Sequence, residues 1–217
     1  MLKDIKAVIF DLDGTLIDSM WVWNTIDKNY FSNRNMDLPK NLKNQIQHLS
    51  FDETAAYFKN NFGILDTLEE IKNEWNNYAY VEYLNNVKLK PGVIEFLSLL
   101  KKSHIKIGLA TSNSKSLLEV VLHANGIYHY FDSITLTDEV SRGKTFPDVY
   151  LLAAKKLGVS PTDCIVFEDI LPAIKGAKAA GMKVIGVYDD SSKEQEEEII
   201  DYADMYITEY NELIPAI

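Results

Sequence analysis

Ala7-Val8-Ile9-Phe10-Asp11-Leu12-Asp13-Gly14-Thr15 is the stretch that decides the fold. Four consecutive apolar residues ending in a glycine-containing turn have the pattern of a strand buried on both faces, as in a parallel sheet. The turn behind such a strand lies at its carboxyl end, where open α/β sheets bind ligands. Alternation along extended backbone sends Asp11 and Asp13 to the same side. Two carboxylates converging at a buried edge repel each other unless a cation joins them. The stretch therefore predicts a site for a hard metal ion with an acid beside it. Asp-Gly is also an ordinary turn signal, so the remainder of the chain must decide.

Beyond residue 88 the pattern of the first strand recurs. Apolar runs at residues 105–110, 131–136, 164–167, 184–187 and 205–207 alternate with helical patterns at 93–101, 114–124, 147–157, 172–180 and 193–202. Gly126, Gly158 and Gly181 stand where three of these helices should stop, and Ser191 is placed to cap the last. Repeated βα units imply a parallel sheet covered on both faces. Residues 17–87 have a different texture, with helical patterns and no convincing strand. Asp18-Ser19 should start one helix over 21–30 and Pro39 another. Ser50 with Glu53 has the form of a capping box, and a long helix is expected over 66–83. The expected fold class is thus α/β: a Rossmann-like parallel sheet core, residues 1–16 and 88–217, with an inserted four-helix cap, residues 17–87. Gly14 with 15–18, and 87–90, are the expected hinges.

Composition narrows the partners. Asp plus Glu outnumber Lys plus Arg by 32 to 22, a net charge of −10, which argues against nucleic acid and anionic membrane surfaces. No segment approaches membrane-spanning length, and the apolar run at 7–10 is too short for a signal peptide. The single Cys164 excludes an internal disulfide and suits a reducing compartment, so a cytoplasmic location is expected. Oligomeric state is not legible.

Four strand ends supply polar residues to one rim: Asp11 and Asp13, then Thr111-Ser112-Asn113, Lys144 ahead of Pro147, and Glu168-Asp169. Each group alone has a plain structural explanation as a cap or a solvated charge. Their joint occurrence in this order does not. With Gly143-Lys144-Thr145-Phe146-Pro147-Asp148 and Gly176-Ala177-Lys178-Ala179-Ala180-Gly181-Met182, the set closely resembles the haloacid dehalogenase superfamily. The likeness is to the branch with a small helical cap, which includes β-phosphoglucomutase and phosphoglycolate-phosphatase-like enzymes.

That resemblance implies a phosphatase of a small phosphorylated metabolite. Asp11 would be the nucleophile that forms an aspartyl-phosphate, and Asp13 the acid and then the base. Mg2+ would be held by Asp11, the Asp13 backbone carbonyl and Asp169, with Glu168 behind them. Thr111, Ser112, Asn113 and Lys144 would hold phosphoryl oxygens. Ile170 and Ala173 depart from the serine and glycine common in relatives, and Thr145 from a frequent proline. A β-phosphoglucomutase also uses a cap histidine and arginine. In an ungapped alignment Trp23 stands at the histidine place and Phe51 near the arginine place, so water is the expected acceptor. His48 lies close enough to substitute. Trp21 and Trp23, two residues apart, cannot share a helix face; one is expected in the cap core and the other at the cleft. A sugar phosphomutase is the alternative activity, and a non-catalytic phosphate-binding protein a more distant one. The second acid, Asp13, speaks against the latter.

Overall fold

A computed structural model describes residues 5–46 and 49–216. Strand β1 (Ala7–Phe10) is fully buried along its length, as four apolar residues flanked by neighbours on both sides require. The chain then turns into a two-residue strand, β2 (Ile17–Asp18), and runs through four helices. These are α1 (Met20–Ser32), α2 (Leu42–Ile46), α3 (Phe51–Phe62) and α4 (Leu68–Asn85). Capping boxes start two of them. Ser50 accepts from the Glu53 N–H at the head of α3, and Thr67 from the Glu70 N–H at the head of α4; in each case the glutamate reaches back. Gly63 ends α3 in the left-handed conformation.

A second two-residue strand, β3 (Lys88–Leu89), pairs antiparallel with β2, matching Ile17 to Leu89 and Asp18 to Lys88. The expectation of no strand in 17–87 is corrected here, since two residues are too few to show a period. Helix α2 also differs from expectation. It begins at Leu42 rather than at Pro39, whose carbonyl accepts from the Leu42 N–H in a preceding turn.

From there strands and helices alternate as expected: α5 (Val93–Lys102), β4 (Lys106–Thr111), α6 (Lys115–Ala124), β5 (Ser133–Leu136), α7 (Asp148–Leu157), β6 (Cys164–Glu168), α8 (Leu171–Ala179), β7 (Lys183–Val187), α9 (Glu196–Tyr202) and β8 (Met205–Ile207). The last helix starts later than its Ser191 suggests. Residues Asp190–Gln195 form a 3-10 turn, and the capping side chain is Asp189, which accepts from the Ser191 N–H. The six strands form one sheet in the order β5-β4-β1-β6-β7-β8, every pairing parallel. β1 lies at its centre although helices occupy the sequence behind it.

Two apolar clusters sandwich this sheet. One contains α7, α8 and α9 residues against Ala7, Ile9, Cys164 and Val166. The other joins α5 and α6 to the sheet and continues without interruption into α1–α4. Trp75, Phe58, Phe51 and Tyr30 interlock edge-to-face among the helices of that second region. Neither Trp21 nor Trp23 fills this interior. Trp21 is 41% exposed, and Trp75 takes the central place instead.

Candidate active site

Beyond β1 the chain places Asp11 and Asp13 at the carboxyl edge of the sheet, with Leu12 fully buried on the opposite side. Gly14 makes the turn possible. Its φ is +79°, and a Cβ there would stand 2.4 Å from the Asp169 Oδ2, so a side chain meets both strain and collision. Beneath the loop, Phe10, Phe96, Phe167 and Tyr210 pack ring to ring, and the Tyr210 hydroxyl donates to the Thr15 carbonyl at 3.2 Å.

Asp11, Glu168 and Asp169 are all buried, and each offers a carboxylate oxygen within 4.8 Å of the others. Lys144 reaches them from the loop before α7. Its ammonium donates to Asp11 Oδ1 and, at 2.6 Å, to Glu168 Oε1, which also accepts from Tyr150 at 2.8 Å. Burial pushes the Asp11 carboxyl up to about 7 despite the opposing pull of Lys144. Asp169 is pushed well above the usual carboxylate range by burial and by Asp11, Glu168 and Asp189. For Lys144 burial works against the charge, but Asp11 and Glu168 outweigh it and hold the proton on. Of the three carboxylates, Asp11 and Glu168 share the Lys144 ammonium at hydrogen-bond distance, Asp169 feels Lys90 only from further off, and Glu168 Oε2 is buried with no partner among the described residues. An oxygen-preferring divalent cation fits such a donor set.

Asp13 belongs to a separate network. Its carboxylate accepts from Ser19 at 2.6 Å, from the Tyr83 hydroxyl, and from Asn113 Nδ2 at 2.8 Å. Tyr83 comes from α4, and its own oxygen accepts from the Trp23 indole N–H at 2.8 Å. Burial and the nearby Asp13 raise Tyr83 well above its ordinary value, so it keeps its proton and acts as a donor. Thr111, at the end of β4, accepts from the Asn113 backbone N–H at 3.0 Å. That N–H is therefore committed within the loop, and Thr111 itself lines the cleft.

A cavity of about 170 Å3 opens over these groups. Asp11, Asp13, Thr111, Ser112, Asn113, Lys144, Glu168 and Asp169 line one end, and Trp23 with other side chains of residues 20–75 and Ile170 lines the rest. Of the residues expected at the site from sequence, only His48 lies outside the described residues. Sequence reasoning missed four contributors. Thr15, whose hydroxyl is 3.4 Å from Asp11 and 3.2 Å from Asp169, sits in the first motif and could have been found. Ser19 read as a helix cap, but its hydroxyl serves Asp13. Tyr83 and Tyr150 fall on helix positions whose apolar spacing reads as core.

The loop that carries Lys144 is held by close backbone contact. A Cβ on Gly176 in α8 would approach the Lys144 carbonyl oxygen to 1.9 Å and that of Phe146 to 3.0 Å. Gly176→Ala must push the loop outward, and such overpacking should cost about 3 kcal/mol. Urea denaturation checks this; an unchanged midpoint would show that the loop yields freely.

A family model, the haloacid dehalogenase-like hydrolases, matches residues 8–187. The phosphorylated carbohydrates phosphatase of Thermotoga maritima is 30% identical over 181 residues, covering 83% of this chain and 84% of that protein. The crystal structure of β-phosphoglucomutase from Clostridium difficile superposes with a TM-score of 0.80 at 26% identity, over 96% of this chain and 93% of that one. CbbY from Rhodobacter sphaeroides, solved with phosphate, shares the fold with a TM-score of 0.84, 22% identity and 96% coverage of both chains. With the site assembled at the strand ends and the match spanning most of its length, this chain belongs to the haloacid dehalogenase-like hydrolase family.

Proposed function

We propose that the protein is a Mg2+-dependent phosphatase of a small phosphorylated metabolite, working through an aspartyl-phosphate on Asp11. The observation that carries this is the division of labour between the two first-loop acids. Asp11 sits among carboxylates and Lys144, whereas Asp13 is held apart by neutral donors. Attack by an Asp11 oxygen forms one P–O bond as the ester P–O bond breaks, and Asp13 gives its proton to the departing oxygen. In the second step Asp13 takes a proton from water, which displaces phosphate and restores Asp11. Lys144, the Thr111 hydroxyl and Ser112 hold phosphoryl oxygens. A donor of this kind contributes about 3–4 kcal/mol. Asn113, expected beside them, instead spends its backbone N–H on Thr111 and its Nδ2 on Asp13, which it orients. Mg2+, held by Asp11, Asp169 and the Asp13 carbonyl with Glu168 alongside, supplies charge neutralisation when bound.

Residues 17–87 act as the cap that closes over the substrate and excludes water. Water rather than a second sugar phosphate is the acceptor. In support, Trp23 and Phe51, which stand at the places of a mutase's cap histidine and arginine, pack edge-on at 6.1 Å in the cavity wall and offer no charge to a second phosphoryl group. A phosphatase of phosphorylated carbohydrates among the relatives supports the substrate class. No helix among the described residues is long and apolar enough to cross a membrane. Cys164 is buried in β6, which suits a cytoplasmic enzyme.

Phosphate release from alkyl phosphates and p-nitrophenyl phosphate, with Mg2+ or with EDTA, tests the proposal. EDTA should abolish release. Asp13→Asn should slow alkyl phosphates by about 10^2–10^4-fold. With p-nitrophenyl phosphate, whose leaving group needs no proton, it should leave a burst of one p-nitrophenolate per site. Undiminished steady release in EDTA, or from Asp13→Asn, would defeat the mechanism.

A further inference from the structure

Helix α1 runs along the cavity and presents one stripe to it. Met20, Trp23, Asn24 and Asp27 line the same space and follow the three- and four-residue spacing of a single helix face. Met20 marks the phosphoryl end: a Cβ on Gly14 would lie 3.4 Å from its Cγ. Asp27 comes seven residues later, so about 10 Å further along the helix axis. The wall around this stripe is largely apolar, with Trp23, Ile26, Phe51 and Trp75, and Asn24 and Thr54 are its neutral polar members.

The Asp27 carboxylate is unusual in this setting. It has no hydrogen bond or ion pair among the described residues, and burial alone pushes it up to about 7. Lys43 also lines the cavity; burial lowers its pKa, and the charges that oppose this are Asp189, Asp169 and Glu194, with Asp27 not among them. An acceptor facing an apolar cavity without a partner gains most from a donor that arrives with a ligand. Above about pH 7, where this carboxyl is ionised, a second anion there meets like charge.

We propose that Asp27 is a specificity-determining residue that reads the far end of the substrate. The ester it selects has an uncharged or cationic leaving group with a hydroxyl or amine donor at its distal end, and a distal carboxylate or phosphate is rejected. The proposal rests on the cavity being the phosphomonoester site.

Sorbitol 6-phosphate and 6-phosphogluconate form a matched pair of open six-carbon chains that differ in the distal group, hydroxyl against carboxylate. Their Kd values are measured at about pH 8, where the Asp27 carboxyl is ionised, by tryptophan fluorescence, with Mg2+, in an Asp11→Asn background that cannot turn over. Sorbitol 6-phosphate should bind at least about tenfold more tightly. Asp27→Asn, with an unchanged melting temperature, should collapse that ratio at least fivefold, and Asp27→Lys should invert it. Equal binding of both compounds, or a ratio that survives Asp27→Asn, overturns the assignment. Turnover plays no part in this comparison, so a wild-type chain that releases no phosphate would sink the phosphatase proposal separately.

Discussion

Asp11→Asn should release phosphate at least about 10^4-fold more slowly than the wild type, since removal of a covalent nucleophile costs on this scale in other hydrolases. The amide keeps the shape of the carboxylate but neither its charge nor its nucleophilic oxygen. Acid-quenched enzyme should likewise yield no hydroxylamine-sensitive acyl-phosphate. The same variant should fold at least as well as the wild type. In the fold the Asp11 carboxyl is raised to about 7 by burial, above the roughly 4 of an unfolded chain. The native state therefore holds this proton more tightly. The associated stability is complete below pH about 4 and is lost as pH rises through about 7. Asparagine does not ionise and escapes that loss. Urea denaturation in EDTA should place Asp11→Asn at or above the wild type at pH 8, with the difference shrinking at pH 5. Normal turnover by this variant would refute the aspartyl-phosphate outright.

Lys144→Met should damage both stability and catalysis. The Lys144 side chain is 4% exposed, against 9% for Asp11 and 1% for Glu168, so water can do little to replace its charge. Removing one partner of a buried ion pair commonly costs about 3–5 kcal/mol, because the charge left behind is uncompensated. Catalysis should fall by about 10^2–10^3-fold for want of a donor to the phosphoryl oxygens. Mg2+ should raise the melting temperature of the variant more than that of the wild type, since it would meet carboxylates with less competition. Lysine to arginine is not a conservative exchange here, since a planar fork cannot occupy the place of a compact ammonium. A melting temperature within a degree of the wild type would mean that the acidic trio tolerates isolation.

The sheet was legible because a strand flanked by parallel neighbours and covered on both faces must be apolar throughout. β1 meets that condition along its whole length, and β4, β6 and β7 meet it at all but their terminal residues. The rim followed from it, since polar residues at the carboxyl ends of such strands have one edge to face. The capping boxes at Ser50 and Thr67 encode helix starts in four residues each, although the reading caught only the first. What escaped had no periodic signature. β2 and β3 are two residues apiece. Tyr83 and Tyr150 satisfy helix packing with their rings while their hydroxyls serve Asp13 and Glu168, and sequence spacing cannot separate the two roles. Trp23 does line the cleft, as expected of one of the pair, but the core place given to the other was misjudged for a related reason. Pattern shows which positions share a face, but not which of several aromatics reaches the interior.

The pairing of β2 with β3 has a mechanical consequence. Both chain crossings between the helices of residues 20–85 and the sheet pass through this ribbon. The Lys90 N–H adds a further rung by donating to the Leu16 carbonyl at 2.9 Å. Two tethers stitched together cannot lengthen or rotate independently without rupturing those rungs. Any displacement of the helices would thereby be reduced to essentially one angular coordinate, like a door on a single pin, and fluorophores placed on either side should trace a single path however such a motion is triggered.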